Sequence, residues 1–392
     1  MPIGRPELFN ATEYLIQGRI ARGDGRRTAL VHSLGDWSYQ RLNDEITAAA
    51  AGLVDLGVRP EERVLIYAAD RPETVAAILA VMHMGAVAVP VSTMLTAQDL
   101  AAMLHDSRAR VLVTSSEFAS NAREAVTAMV GAQSRPDLAS VVTIGTSPDA
   151  LELSGTGLTG VEWSELLAGG ADARVVYPTW PDSPALWLYT SGTTGTPKAA
   201  MHRHGAIRFV CETYGQQVLG IRPEDRCLSV AKLFFAYGIG NSVFFPFSVG
   251  AATILEPGRP TPDLFAAVAA EHRPTLFFGV PTFYSAMLAS SIADEPFRTV
   301  RQGASAGEAL PPSLFTRIRD RFGFEILDGI GSTEALHIFL SNRSGEIRPG
   351  SSGTPVPGYQ VQLRDEIDGG LIDQPDRPGA LYVSGVSIAS GY

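Results

Sequence analysis

Hydrophobic positions in the first part of the chain follow two alternating patterns. Short apolar runs rich in Val, Ile and Leu alternate with longer stretches in which apolar residues recur at helical spacing. The predicted strands are 63–67, 86–91 and 110–114, and the predicted helices are 72–84 and 96–106. Thr96 is the predicted N-cap of the second helix. Strands alternating with helices are typical of βαβ units around a mainly parallel sheet.

A second series of the same kind follows a polar stretch, 145–182, that is rich in Gly, Ser, Thr and Asp. Its predicted strands are 185–190, 253–255, 275–278 and 325–327, and its predicted helices are 206–219, 262–271 and 282–288. From residue 346, Gly and Pro punctuate short strands at 360–364 and 380–383, as in a small antiparallel sheet or barrel.

These patterns predict an α/β fold with two stacked, mainly parallel βαβ subdomains and a small antiparallel, β-barrel-like subdomain. The predicted divisions are 1–175 for the first, 176–340 for the second and 341–392 for the third. A chain of 392 residues is long enough for several packed units of this size.

Composition narrows the possible partners and the compartment. The net charge is -10, from 31 basic and 41 acidic side chains. This balance argues against a nucleic acid or an anionic membrane as partner, since both favour a basic surface. The longest apolar run, 75–91, is shorter than the ~20 residues of a membrane span. With only two cysteines and no signal-peptide pattern, a cytoplasmic protein is expected.

The most informative segment is residues 189–198, which read YTSGTTGTPK after an apolar strand. Gly192 and Gly195 allow the backbone to point successive N–H groups at an anion, and Lys198 adds a positive charge. Five hydroxyls add further donors: Thr190, Ser191, Thr193, Thr194 and Thr196. The segment is not a Walker A loop, because its lysine follows Pro197 rather than a glycine. It is interpreted as a triphosphate-binding loop; the alternative is a flexible polar linker.

This segment resembles the signature loop of the adenylate-forming superfamily, which contains acyl- and aryl-CoA ligases, luciferases and peptide-synthetase adenylation domains. Two more segments match in the same order, SAGEALP at 305–311 and DGIGSTE at 328–334. The resemblance runs from about residue 10 to the end of the chain. Within the family, KLFFAYG at 232–238 and TEALHIF at 333–339 are most similar to benzoate-CoA ligases.

The resemblance implies a nucleotide site with residues in particular roles. Thr190, Ser191, Gly192, Thr193, Thr194, Gly195 and Lys198 would hold the β- and γ-phosphates. Gly307, Glu308, Gly329, Ile330 and Gly331 would line the nucleotide, and Asp328 would accept from the adenine amino group. Thr333 would bind the α-phosphate and Glu334 would hold Mg²⁺, a role that suits a carboxylate beside a hydroxyl. Many relatives stack a tyrosine on adenine where this chain has Ile330.

The resemblance also implies a pocket for an aromatic acid. The residues implied as its lining are Ala236, Tyr237, Ala304, Ala306, Gly329, Leu336 and His337. Small residues beside an aromatic wall suit a flat ring. For His337 a packed, hydrogen-bonded core histidine is the alternative interpretation.

The implied function is ATP-dependent activation of a benzoate-type acid to its adenylate and then to a CoA thioester. Two family features do not occur after Glu334: a Thr-Gly-Asp segment and a lysine on a mobile C-terminal domain. Lys198 and Lys232 are the only lysines, so that C-terminal domain is expected to be absent from this sequence. Transfer to a carrier-protein thiol and an isolated acid- or adenylate-binding domain are the alternatives.

Overall fold

The protein has a mixed α/β fold, seen in a computed structural model that describes residues 7–131, 137–169, 176–191 and 197–392. The strands are β1 Thr28–Val31, β2 Trp37–Ser38, β3 Arg63–Tyr67, β4 Val87–Pro90, β5 Val111–Ser115, β6 Ser140–Ile144, β7 Thr159–Glu162, β8 Pro184–Ser191, β9 Pro197–Arg203, β10 Arg226–Ser229, β11 Ala252–Ile254, β12 Leu276–Gly279, β13 Gln302–Ser305, β14 Ile326–Gly331, β15 Ile338–Ser341, β16 Thr354–Pro355, β17 Gln360–Arg364 and β18 Ala380–Ser384.

Helices connect most of these strands. The α-helices are α1 Gly18–Ala21, α2 Tyr39–Asp55, α3 Pro72–His83, α4 Ala97–Ser107, α5 Ala119–Gly131, α6 Trp163–Gly169, α7 His204–Val210, α8 Ala236–Ile239, α9 Phe245–Val249, α10 Pro262–His272, α11 Pro281–Ala289 and α12 Pro312–Phe322. Glu13–Gln17, Cys211–Val218 and Gly240–Phe244 are wound as π-helix, so the predicted helix at 206–219 is an α-helix that continues as a π-helix.

The first sheet has the order β7-β6-β5-β3-β4-β8-β9 in the described residues. All neighbours are parallel except the β8–β9 hairpin. The central strands are buried along nearly their whole length, as expected when helices cover both faces of a parallel sheet. The predicted strand at 63–67 is confirmed residue for residue.

The second sheet has the order β16-β15-β14-β13-β12-β10-β11-β1-β2 among the described strands. From β1 to β14 its neighbours pair in parallel, and antiparallel strands β2 and β15–β16 close its two edges. Parallel strands point their C-terminal ends at one edge of the sheet. In β14 the chain continues past the predicted strand at 325–327 as far as Gly331, which carries the DGIG segment to that edge.

The two sheets do not divide at residue 175. Strand β8, predicted at 185–190 as part of the second series, pairs with β4 in the first sheet, and β9 pairs with β8. Strands β1 and β2, from the start of the chain, pair with the second sheet instead. The strand that leads into the predicted phosphate loop is therefore a strand of the first sheet, because its hydrogen-bonding partner is β4.

Strands β17 and β18 form the predicted small antiparallel sheet, with five residue pairs in register. Strand β16, in the same predicted subdomain, pairs with β15 of the second sheet. The α/β architecture expected from the sequence, with mainly parallel sheets and a small antiparallel sheet, is confirmed, whereas the division into domains stays a prediction. No helix in the described ranges is both long and apolar enough to cross a membrane.

Helix α4 begins with the predicted cap. The Thr96 hydroxyl accepts from the backbone N–H of Asp99, and the Asp99 carboxylate accepts from the backbone N–H of Thr96. Each bond satisfies an N–H group that has no partner within the helix.

Thr96→Ala is expected to lower the free energy of unfolding by about 1 kcal/mol, because the cap donor at Asp99 loses its acceptor. Urea denaturation of the chain measures this change. Thr127→Ala is the matched control, since the Thr127 hydroxyl bonds only to the Arg123 carbonyl of its own helix. Equal destabilisation by the two substitutions would contradict the capping role.

Candidate active site

A cavity of about 380 Å³ lies at the C-terminal edge of the second sheet. Four of its lining residues mark the strand ends: Val230 follows β10, Val280 follows β12, Ala306 follows β13, and Gly331 ends β14. The other lining residues are Ala231, Phe235, Ala236, Tyr237, Gly307, Ser332, Thr333, His337 and Ile338. Clefts at the carboxyl ends of parallel strands are the usual ligand sites of open α/β sheets.

The structure brings four of the residues predicted to line the acid pocket to this cavity: Ala236, Tyr237, Ala306 and His337. Ala304, Gly329 and Leu336 are buried and do not line it. Ala304 is fully buried in β13, and its carbonyl accepts from the Tyr284 hydroxyl at 2.8 Å. A Cβ at Gly329 would lie 2.7 Å from the Leu340 carbonyl oxygen, so this position needs glycine for strand packing.

His337 is both a packed core residue and part of the cavity wall. Its ring centroid lies 5.0 Å from that of Tyr214, 5.4 Å from that of Tyr237 and 4.5 Å from that of Phe245. Burial lowers its pKa to about 3, so the imidazole is neutral at neutral pH. Its Nε2 lies 3.2 Å from Asn241 Oδ1. His337 therefore offers a ring surface rather than a charge to a bound molecule.

Asp328 is the buried carboxylate of the predicted nucleotide side. Asp328 is the third of the six residues of β14, it is in register with Ser305 at the end of β13, and it is 5% exposed. Burial raises its pKa to about 6, while backbone N–H groups of Leu310 and Gly329 act in the opposite direction. Its Oδ1 has no partner among the described residues, so it can accept from the amino group of a bound ligand.

The predicted adenine contacts extend from the same two strands. Gly307 follows β13 and has a φ of 94°, a left-handed conformation that favours glycine. Gly307 and Glu308 are exposed, and Ile330 exposes 38% of its surface. These three residues are therefore accessible to a ligand, and Ile330 offers it an apolar surface.

The predicted phosphate loop begins in β8 and ends in β9. Thr190 pairs with Lys198 and Ser191 with Pro197. The predicted ligands Gly192, Thr193, Thr194 and Gly195 lie outside the described residues, and their phosphate contacts stay predictions. Lys198 is exposed at the start of β9.

Thr333 and Glu334 lie in a turn that packs against this hairpin. Ser332 Oγ accepts from the backbone N–H of Ala335 at 3.1 Å, and the Thr333 carbonyl lies 2.8 Å from His202 Nε2 on β9. Burial lowers the pKa of His202 to about 4, so its neutral ring serves as a fixed contact between the two sheets. The turn and the phosphate hairpin are thereby held side by side.

Tyr392 lies between the two charged residues of this region. Its hydroxyl donates to Glu334 Oε1 at 2.7 Å, and its ring centroid is 5.6 Å from Lys198 Nζ. Partial burial raises the pKa of Glu334, but hydrogen bonds from Tyr392, the residue's own N–H and Ser332 outweigh it, and the pKa lies below the ordinary value. Glu334 is thus an anion, and Tyr392 contacts both it and Lys198.

Comparison with known proteins shows the family of the chain. Residues 18–392 match the family described as AMP-binding enzyme. The chain belongs to that family. It is 40% identical over 390 residues to the benzoate–CoA ligase of Thauera aromatica, covering 99% of this chain and 70% of the relative. It is 38% identical to the 4-hydroxybenzoate–CoA/benzoate–CoA ligase of Rhodopseudomonas palustris, covering 98% of this chain and 68% of that enzyme.

The solved structures include a benzoate CoA ligase from Burkholderia xenovorans LB400. It has a TM-score of 0.88 and 38% identity, with 98% of this chain and 73% of that chain covered. Membership of the AMP-binding enzyme family agrees with the resemblance that the sequence motifs carry.

The residues of this AMP-binding enzyme suit a magnesium ion shared with substrate phosphates. No group of three or more His, Cys, Asp or Glu that could hold a metal occurs in the described part of the chain. Mg²⁺ commonly binds through one or two carboxylates together with substrate phosphates and water. A single ionised and partly exposed Glu334 fits that mode and does not fit a site made by protein alone.

Several residues of the site are not predicted by the local sequence patterns. Val230 and Val280 line the cavity because they follow strand ends, which accurate strand boundaries could have revealed. His202 and Tyr392 also contact residues of the site. Their contacts with Thr333 and Glu334 join segments more than fifty residues apart, so local sequence patterns do not predict these contacts.

Adenosine affinity is expected to fall as pH drops from 7 to 5, if Asp328 accepts from adenine. The carboxylate has a pKa of about 6, and protonation weakens it as an acceptor. Calorimetry with adenosine measures this without titrating phosphates. Asp328→Asn is expected to bind about tenfold more weakly at pH 7 and to lose the pH dependence.

Glu308→Gln is the control for that experiment, because Glu308 is an exposed carboxylate on the adjacent strand end. It is expected to keep the pH dependence. An unchanged pH profile in Asp328→Asn would contradict the assignment of Asp328 to adenine.

Proposed function

We propose that this protein uses ATP to activate a benzoate-type carboxylic acid, and that the acyl group then passes to the thiol of CoA. The observation that carries the proposal is the apolar cavity bounded by Tyr237 and His337, which adjoins Thr333 beside Glu334. Its size and flat aromatic wall suit one substituted ring. The names of the benzoate–CoA ligases from Thauera and Burkholderia support the same substrate class.

In the first half-reaction, a carboxylate oxygen of the acid attacks the α-phosphorus of ATP. A new O–P bond forms as the bond to the β-phosphate oxygen breaks, giving acyl-adenylate and pyrophosphate. In the second, the CoA sulfur attacks the acyl carbon, its proton leaves to solvent, and AMP departs with the electrons of the C–O bond. Both steps depend mainly on positioning and on stabilising charge that develops.

Each group of residues in the site has its own proposed role. The cavity wall around Ala236, Tyr237 and Ala306 holds the ring and excludes water, so the carboxylate faces the turn at Thr333. Asp328 orients adenine, and Thr333 contacts the α-phosphate. Lys198 and the loop from Thr190 to Gly195 bind the leaving pyrophosphate. Mg²⁺ held by Glu334 would neutralise phosphate charge when it is bound.

The acyl acceptor and the location in the cell are also proposals. The CoA thiol is the proposed acceptor rather than a carrier protein, because relatives at 40% and 38% identity are named as CoA ligases. A cytoplasmic location fits the two buried, unpaired cysteines, Cys211 and Cys227.

Benzoate is expected to bind the purified chain more tightly than octanoate by at least about tenfold, because the cavity is short and lined by rings. Calorimetry at saturating AMP, with 2-, 3- and 4-substituted benzoates added to the panel, measures the preference. Tighter binding of octanoate than of every benzoate would contradict the aromatic assignment.

Glu334→Gln is expected to remove most of the Mg²⁺ dependence of ATP binding, since a neutral amide is a much poorer ligand for this hard cation. The measured quantity is the ratio of ATP dissociation constants with and without Mg²⁺. Glu346→Gln, at an exposed position in a following turn, is the matched control. A Mg²⁺ effect of wild-type size in Glu334→Gln would remove Glu334 from the metal site.

A further inference from the structure

Lys232 is the second of the two lysines, and the proposed chemistry assigns it no role. It lies three residues beyond the end of β10, immediately before the segment that forms the cavity wall. Its Nζ donates to the carbonyl oxygens of Glu256 and Gly258, the latter at 2.7 Å. Both carbonyls belong to the loop that follows β11. The lysine therefore joins the loops that leave two neighbouring strands of the second sheet.

Asp70 connects the same lysine to the first sheet. It lies three residues beyond the end of β3 and is 8% exposed. Its Oδ2 is 4.0 Å from Lys232 Nζ, and its Oδ1 accepts from the backbone N–H of Leu233 at 3.3 Å. Burial raises the pKa of Asp70 to about 6, and the positive charge of Lys232 acts against that rise. The ammonium is thus surrounded by two carbonyls from the loop after β11 and one buried carboxylate from the loop after β3.

Close contacts fix the segment that follows Lys232. The Phe235 N–H donates to the Lys232 carbonyl at 3.0 Å, and a Cβ at Gly238 would lie 1.9 Å from the same oxygen. Leu233 is buried in the main core, and Phe235, Ala236 and Tyr237 line the cavity. Because the core and the Gly238 contact fix the segment from the other side, a displaced Lys232 backbone must move the cavity wall.

We propose that Lys232 is a positioning residue whose ammonium, held by Asp70 and the carbonyls of Glu256 and Gly258, sets the wall at 233–237 and thereby the affinity for the aromatic acid. The proposal rests on the proposed function for its ligand. Lys232 itself is absent from the lining of the cavity, so it acts through Phe235, Ala236 and Tyr237.

The test is Lys232→Met, which keeps a long unbranched side chain and removes the three donors. Benzoate affinity is expected to weaken by at least about tenfold, because small displacements of positioning groups have large effects on ligand geometry. ATP affinity is expected to stay within about twofold, since Asp328 lies on β14, separated from β10 by β12 and β13. Calorimetry with benzoate and with ATP measures both.

Arg301→Met is the matched control. Arg301 forms a bidentate ion pair with Asp225, which is 4% exposed. Asp225 directly precedes β10 and Arg301 directly precedes β13 of the same sheet. This pair lies at the N-terminal edge, away from the cavity. Arg301→Met is expected to lower the thermal midpoint while leaving benzoate affinity within about twofold. A loss of benzoate affinity equal to that of Lys232→Met would show a general stability effect and overturn the proposal.

Asp70→Asn supplies a milder variant, in case Lys232→Met folds poorly. It keeps both carbonyl contacts of the lysine, so a smaller loss of benzoate affinity, about threefold, is expected. Wild-type benzoate affinity in a folded Lys232→Met protein would overturn the proposal.

Hydrogen exchange separates this inference from the proposed function. Amides at 233–237 are expected to exchange faster in Lys232→Met than in wild type and to be unchanged in Arg301→Met. If the wild-type chain binds no benzoate, the proposed function fails, while the exchange rates still decide whether Lys232 fixes the wall. Unchanged exchange in Lys232→Met would overturn the positioning role.

Discussion

The parallel pairing of β10, β12, β13 and β14 is the constraint on which the site depends. Each strand ends at the same edge of the second sheet, and the residues that follow the strands become the cavity wall. The pairing of Ser305 with Asp328 places the SAGE and DGIG segments next to each other although they are separated along the chain. A slip of one residue in this register would turn Asp328 to the opposite face of the sheet.

Burial gives the titratable groups of the site different charge states. His337 and His202 are neutral because burial lowers each pKa well below 6.5. Asp328 titrates near neutral pH, whereas Glu334, supported by hydrogen bonds from Tyr392 and Ser332, is an anion. The proposed acid side of the site is consequently lined by neutral side chains, and the carboxylates of Asp328 and Glu334 lie at the proposed adenine and metal positions.

The sequence predicted well those features that depend on local pattern. Strand β3, helix α4 with its Thr96 cap and hairpin β17–β18 follow from periodicity and capping residues. Four pocket residues, Ala236, Tyr237, Ala306 and His337, were predicted by resemblance and meet at one cavity. The pairing of β8 with β4 was not predicted, because the choice between two sheets depends on contacts across the whole fold. The same reason explains why Tyr392 beside Glu334 and Asp70 beside Lys232 carried no local signal.

We propose that one site holds an aromatic acyl group and adenine on opposite sides of the turn at Thr333. A crystal structure of the chain with a non-hydrolysable benzoyl-adenylate analogue tests this proposal. The benzoyl ring is expected in the cavity against Tyr237 and Ala306, with the adenine amino group within hydrogen-bonding distance of Asp328. An analogue bound with its ring outside this cavity, or with adenine away from Asp328, would overturn the proposal.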